Sequence, residues 1–203
     1  KWRLKNEFMV YNSKYDDKKY DDTYLYYTIG ARYIHNKGDF FFGPTISKRY
    51  IAHKSYNYSA GFMFETNYDI TKKLNANLTL NYTPTYYDDY SDILDGDVKS
   101  ARLRLFYALD ASKYFIFKTG YEYEKTKDET YTNDRINLAL GFGAELPYGF
   151  HIYAEPSVVF TEYKGKRWTI DNYKFKQVKE QDTTQRYSIS LSNRKISFMG
   201  FMP

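Results

Sequence analysis

Cysteine is absent from the 203 residues, which excludes disulfides and thiolate metal sites but names no compartment. Long apolar runs are absent as well. No stretch approaches the roughly 18–20 residues that a membrane helix needs, and mean hydropathy is −0.73. Helix formers do not recur at 3.6-residue spacing, which excludes a soluble helical bundle. No Gly-rich phosphate loop or other nucleotide motif occurs. Neither sign of charge dominates: 30 basic and 25 acidic residues mix along the chain for a net charge of +5. That mixture reads as solvated loops, so no nucleic-acid partner is expected. No signal peptide is visible; Lys1 opens directly into a strand-like pattern, as in a mature chain or a fragment.

What is abundant is aromatic: 25 Tyr and 15 Phe bring aromatics to 21%. Tyr, Thr, Phe and Ile favour pleated structure, and the period of two is plain. In "LNANLTLNYTP", Leu74, Ala76, Leu78, Leu80 and Tyr82 share one face, opposite Asn75, Asn77, Thr79, Asn81 and Thr83. In "RINLALGFGAEL", Ile136, Leu138, Leu140, Phe142, Ala144 and Leu146 oppose Asn137, Ala139, Gly141, Gly143 and Glu145. In "SARLRLFYAL", Leu103, Leu105, Tyr107 and Leu109 oppose Arg102, Arg104, Phe106 and Ala108. Side chains alternate across a strand, so each segment has an apolar face and a polar or small one.

Ten strands are expected, over 2–12, 23–34, 40–49, 57–68, 74–86, 98–109, 114–125, 135–146, 151–163 and 184–198. Short turns at 35–39, 69–73, 110–113, 147–149 and 199–203 alternate with longer polar connections at 13–22, 50–57, 87–99, 125–134 and 165–182. That alternation predicts an all-β, antiparallel up-and-down transmembrane β-barrel, with tight periplasmic turns and long extracellular loops. Several strands exceed the roughly 9–11 residues that a tilted transmembrane strand requires. Tyrosines near strand ends, such as Tyr24, Tyr86, Tyr121 and Tyr123, suit an aromatic girdle. A soluble sandwich or calycin-like barrel also alternates. It would turn its apolar face inward, leaving Glu65, Arg102, Arg104, Lys118, Glu122, Glu145 and Glu155 on its outer surface, whereas a watery lumen accommodates them. The last turn, 199–203, is expected to lead into further strands, so residues 1–203 read as one partial barrel.

Candidate chemistry is sparse. His35 and His151 flank short turns, while His53 lies near Ser55 in a predicted loop; a hydrolase needs base and nucleophile in fixed reach. The acidic run "DDYSDILDGD" (88–97) lacks the spacing of a calcium loop. The basic–aromatic segment "KGKRWTIDNYKFK" (164–176) suits lipopolysaccharide phosphates or a protein partner. Catalytic, cofactor-binding and metal residues are therefore expected to be none, and the protein is not expected to be an enzyme. Gly30, Gly43, Gly61, Gly120, Gly141 and Gly143 fall within strand patterns, and Pro44, Pro84 and Pro156 interrupt ladders, which predicts bulges or weakly paired seams.

The stretch "YSISLSNRKISFMGFMP" (187–203) resembles the late-barrel segment of the surface lipoprotein assembly modifier (Slam) family. The shared pattern S-L-x-x-R-x-x-x-F-x-G-x-x-P is met by Ser190, Leu191, Arg194, Phe198, Gly200 and Pro203. Residues 135–165 are similar to that family's strand–turn–strand segment, with "ELPYG" as the turn. The resemblance implies a Gram-negative outer-membrane protein that translocates or displays lipoproteins, or related secreted proteins, at the cell surface. Outer-membrane lipids, lipopolysaccharide and a client lipoprotein would be its partners. It also implies an N-terminal periplasmic domain of helical repeats, a pattern these 203 residues do not contain. The alternative expectation is a passive porin for small solutes, and a third is an adhesin acting through its loops.

Overall fold

The computed structural model describes residues 1–171 and 174–193, with side chains described outside 167–176. Ten strands follow one another in one antiparallel sheet, in the order β1 to β10. They are β1 (Trp2–Ser13), β2 (Asp22–His35), β3 (Gly38–Ile51), β4 (Lys54–Asp69), β5 (Leu74–Tyr87), β6 (Gly96–Ala108), β7 (Lys113–Thr126), β8 (Asn133–Glu145), β9 (Phe150–Asp171) and β10 (Lys174–Asn193). Each pairs with its neighbours in sequence, as an up-and-down meander requires. Among the described residues β1 and β10 do not pair with each other.

The sheet is curled. Lys5 Nζ on β1 reaches Glu65 Oε2 on β4 at 3.0 Å, although three flat strand spacings would separate those strands by roughly 14 Å. Only curvature toward the face that carries both residues closes that gap. The concave face is called inward below. Tyr26 on β2 and Met63 on β4, whose phenol and sulfur lie 3.8 Å apart, share it.

The two faces differ as the alternation predicts. Leu74, Ala76, Leu78, Leu80 and Tyr82 stand outward beside Leu103, Leu105 and Tyr107, while the Asn and Thr residues between them face inward. Outward side chains are large, apolar and uncovered: Ile46 is 55% exposed, Phe62 52% and Leu140 54%. The buried apolar residues are few, namely Phe41, Ile116, Ala139 and Ala144, so no second layer packs on this sheet among the described residues. At the end with short turns, Trp2, Tyr33, His35, Phe40 and Tyr68 form an outward aromatic row, with Trp2 and Tyr33 ring centres 4.9 Å apart.

Local chemistry sets the turns. Asp110 Oδ1 accepts hydrogen bonds from the backbone amides of Ser112 and Lys113, and Thr71 Oγ1 accepts from Leu74 N–H, a side-chain imitation of a backbone turn. Three expected loops prove shorter. Residues 50–57 are not a long connection: β3 and β4 meet through Ala52 and His53 alone, with φ of 52° and 63°. Two consecutive left-handed residues match the twist of a hairpin. This corrects the strict alternation of short and long connections. Likewise, most of 165–182 is strand, in a β9–β10 hairpin that runs past the last β8–β9 pair, Asn133 with Tyr163. The 87–99 connection shortens to 88–95 and carries one helical turn, α1 (Ser91–Leu94). The expected end of the tenth strand at 194–198 and the turn at 199–203 lie outside the described residues.

The prolines behave as their missing N–H dictates. The β2–β3 ladder skips Ile29 and Gly30 opposite Gly43 and Pro44. The β4–β5 ladder skips Ala60 and Gly61 opposite Thr83 and Pro84, and β8–β9 skips Leu140 and Gly141 opposite Glu155 and Pro156. In the first gap, a Cβ on Gly30 would lie 2.2 Å from Phe42 O and one on Gly43 2.2 Å from Ile29 O, so only glycine fits. The Phe41 ring lies over both glycines and is 1% exposed.

Candidate functional site

The inward wall holds the charged side chains, and most are matched across strands. Near the short-turn end, Arg32 grips Asp39 with Nε and Nη2 at 3.0 and 2.7 Å. Toward the loop end, Arg49 holds Asp22 in the same two-pronged way, the geometry a planar guanidinium offers a carboxylate. Farther round the wall, Glu122 accepts from Arg102 at 3.2 Å and from Arg135 at 2.8 Å, and Arg135 also reaches Glu124 at 2.7 Å. Lys118 Nζ lies 2.5 Å from Glu155, which also accepts from the Tyr153 hydroxyl. Between these groups the wall is polar but uncharged. Ser47 and Ser59 hydroxyls meet at 2.6 Å, Asn81 donates to Ser100, and these residues line a cleft of about 820 Å³.

Aromatics close the short-turn end of the same face. Tyr114 packs at a tilt against Phe106 with ring centres 5.0 Å apart and stacks on His151, its hydroxyl 3.1 Å from Nε2. The Tyr114 and Tyr153 rings occupy the space where Gly143 and Gly141 lack side chains, so each glycine is covered by a tyrosine from the neighbouring strand.

Glu65, Arg102, Arg104, Lys118, Glu122 and Glu155 all stand on the inward face, as the alternation requires. The histidines do not converge. His35 sits in the outward aromatic row, His151 faces inward, and His53 Nε2 lies 3.1 Å from Asp21 at the tight β3–β4 turn. The Ser55 hydroxyl goes to Asp88 instead of to His53. The carboxylates of 88–97 are likewise dispersed. Asp88 accepts from Ser55 and Lys48; Asp95 accepts the Tyr87 N–H at 2.7 Å and Lys127 at 3.1 Å. The Ser55 hydroxyl holds the Asp88 carboxyl below its ordinary range, and the Tyr87 amide does the same for Asp95. Among the described residues no three His, Asp or Glu side chains converge on a metal-sized site. In the basic segment 164–176, Lys164 pairs with Asp134 and Lys166 is exposed; the side chains of 167–176 lie outside the described residues.

The pairings Arg49 with Asp22, Arg32 with Asp39 and Tyr114 with His151 were not read from sequence. Arg32 and Asp39 carried a usable signal, since both lie close to the hairpin at 35–39 and fall on one face. The others depend on register or on curvature.

Ser190 and Leu191, from the C-terminal pattern, lie on β10 opposite Tyr153 and Ile152. Arg194, Phe198, Gly200 and Pro203 lie outside the described residues. Comparison with curated proteins and with solved structures finds no match for this chain. A family model described as "Surface lipoprotein assembly modifier" matches residues 1–203. With the whole length matched, the chain belongs to the surface lipoprotein assembly modifier family.

Proposed function

We propose that the chain forms the wall of a Gram-negative outer-membrane barrel that translocates or displays lipoproteins, or related secreted proteins, at the cell surface. The family assigns a role in surface lipoprotein assembly. The observation that carries the membrane reading is the inversion of the sheet, with exposed Ile46, Phe62 and Leu140 outward and ion pairs inward. A soluble monomer rarely exposes more than a few hundred Å² of contiguous apolar surface, whereas hydrocarbon accepts such a face. Strands of 13 and 14 residues, such as β5 and β8, are long enough to cross at a tilt.

Lipids and lipopolysaccharide are the proposed surroundings. Lys48 lies 5.4 Å from the Tyr58 ring centre and Lys99 5.7 Å from that of Tyr82, both outward and toward the loop end. Tyrosine suits the interface, and an ammonium beside it meets headgroup phosphate. The role proposed for the inward wall is steric and electrostatic guidance of a client, without bond chemistry.

Deleting the gene and treating intact cells with protease tests the reading. Loss of surface-accessible lipoprotein is expected, and full exposure after deletion would refute it. The polar-lined clefts of the inward face favour a second reading, a passive porin. Planar-bilayer recordings separate the two, since stable open steps with normal lipoprotein display belong to a porin.

A further inference from the structure

Gly120 differs from the glycines of the ladder gaps. A Cβ at Gly30, Gly43 or Gly61 would lie 2.0–2.2 Å from a carbonyl oxygen of the next strand, so backbone approach demands glycine there. At Gly120 the nearest atom is the flexible Arg102 Cγ at 3.3 Å, followed by Ala101 O at 3.5 Å. The backbone tolerates a side chain. What its absence leaves is a cleft of about 420 Å³, lined by Arg102, Arg104, Lys118 and Arg135, with Asn77, Asn137 and the Glu122 carboxylate that pairs with Arg102 and Arg135.

The cations around this cleft are unequally committed. Arg102 and Arg135 are tied to Glu122, Arg135 also to Glu124, and Lys118 to Glu155. Arg104 has no carboxylate within ion-pair distance among the described residues. It stands directly across from Lys118 on β7 and from Asn77 on β5, and Glu155, already bonded to Lys118 and Tyr153, acts on it only at longer range. Like charges facing each other across strands repel, and an incoming carboxylate between Arg104 and Lys118 would relieve that repulsion. Guanidinium presents paired donors for such a group, and Asn137 supplies a donor and an acceptor for peptide amides, while Asn77 donates to Glu65 and accepts from Thr79.

We propose that this cleft is a carboxylate-binding subsite that engages an acidic stretch of polypeptide on the inward wall, with Arg104 as its uncommitted cation. The proposal rests on the reading of the wall as a protein-conducting surface. A lipid phosphate is the wrong source, because the cleft's charged lining belongs to the inward face and Leu103 and Leu105 stand on the other.

The test uses the full chain in lipid nanodiscs and measures fluorescence anisotropy of labelled oligo-glutamate, oligo-lysine and neutral Gly-Ser peptides at about 100 mM salt. Oligo-glutamate binding is expected, with oligo-lysine and the neutral peptide at least tenfold weaker. Arg104→Gln should weaken binding about tenfold, a loss of one charge-assisted contact. Gly120→Val should weaken it comparably while every charge remains, and Lys99→Gln on the outward face should change nothing. Unchanged heat-modifiable migration establishes that the variants fold. Equal binding of all three peptides, full binding by Gly120→Val, or displacement by inorganic phosphate at the same concentration as by peptide would overturn the proposal. Protease accessibility of lipoprotein on deletion cells reports separately on the transport reading, so a failed subsite and a failed function give different results.

Discussion

Lys5 on β1 bonds to Glu65 on β4 at 3.0 Å, and its ammonium stands 4.8 Å from the centre of the Phe41 ring on β3 between them. One lysine therefore bridges three strand spacings and rests on the aromatic ring that caps the Gly30–Gly43 approach. Both ends of the pair are largely shielded, with side-chain exposures of 21% and 32%. A double-mutant cycle of Lys5→Met and Glu65→Gln should show a coupling of about 1 kcal/mol, more than a fully exposed pair gives. Urea unfolding in lipid vesicles measures it, and simple additivity would mean that the contact does not hold the curl.

Gly30 and Gly120 should respond oppositely to alanine. Gly30→Ala drives a methyl against Phe42 O and the Gly43 backbone, overpacking with a cost of about 3 kcal/mol or more. Gly120→Ala meets only a movable arginine stem and should stay within about 1 kcal/mol of the parent. The midpoint temperature of the heat-modifiable gel band ranks them, and equal midpoints would contradict the geometry.

Adjacent positions on β8 test which face meets lipid. Leu138 points outward and is 38% exposed, while Asn137 lines the inward cleft. Leu138→Arg should cost about 2–4 kcal/mol in a bilayer, as for a charge near the midplane of a barrel's lipid face. Asn137→Arg should cost less than about 1 kcal/mol, since it enters a hydrated wall. Urea unfolding in vesicles compares them; a greater loss for the inward variant would reverse the assignment of faces.

Asp95 joins two connections at the loop end. Its carboxylate accepts the Tyr87 amide and Lys127, and Lys127 N–H returns to Asp95 O at 2.9 Å. The Tyr87 amide lowers the carboxyl's pKa from 3.8, and a hydrogen bond from Thr130 lowers that of Asp128. A lowered native value means the contribution is complete above the ordinary 3.8 and lost as pH falls through the depressed value. Amide exchange in 88–95 and 127–132 should therefore be steady, after correction for intrinsic rates, from about pH 8 to pH 5, then quicken below about pH 4. Asp95→Asn should remove much of that acid step; an unaltered step would exclude this carboxylate as its source.

How much of this was legible follows from what each residue answers to. The alternation at 74–82 located β5 and its faces because the same side chains must satisfy both lipid and water. The turn at Ala52 and His53 was hidden, since neither residue carries a turn signature. Its left-handed backbone is held from outside, by Ala52 N–H donating to Asp21 O and by His53 beside the Asp21 carboxylate. The β9–β10 extension was hidden for the opposite reason. Beyond Tyr163, among the described residues, β9 and β10 have ladder partners only in each other, so hairpin pairing defines the extension. The weak seams at Pro44, Pro84 and Pro156 were legible because a missing N–H is a property of one residue. The inward ion pairs were legible as a face but not as partners: Lys5 and Glu65 lie 60 residues apart and meet only because the sheet curls.

The three ladder gaps divide the wall into panels. Ladders free of a proline gap join β1 to β2, β3 to β4, β5 through β8, and β9 to β10, with register shifts at Arg49/Tyr50 and Lys179/Gln181, while the gaps at Pro44, Pro84 and Pro156 fall between panels. Bending concentrated along those creases leaves each panel's own ladder intact. Those creases are the lines along which the wall can bend while breaking the fewest ladder hydrogen bonds.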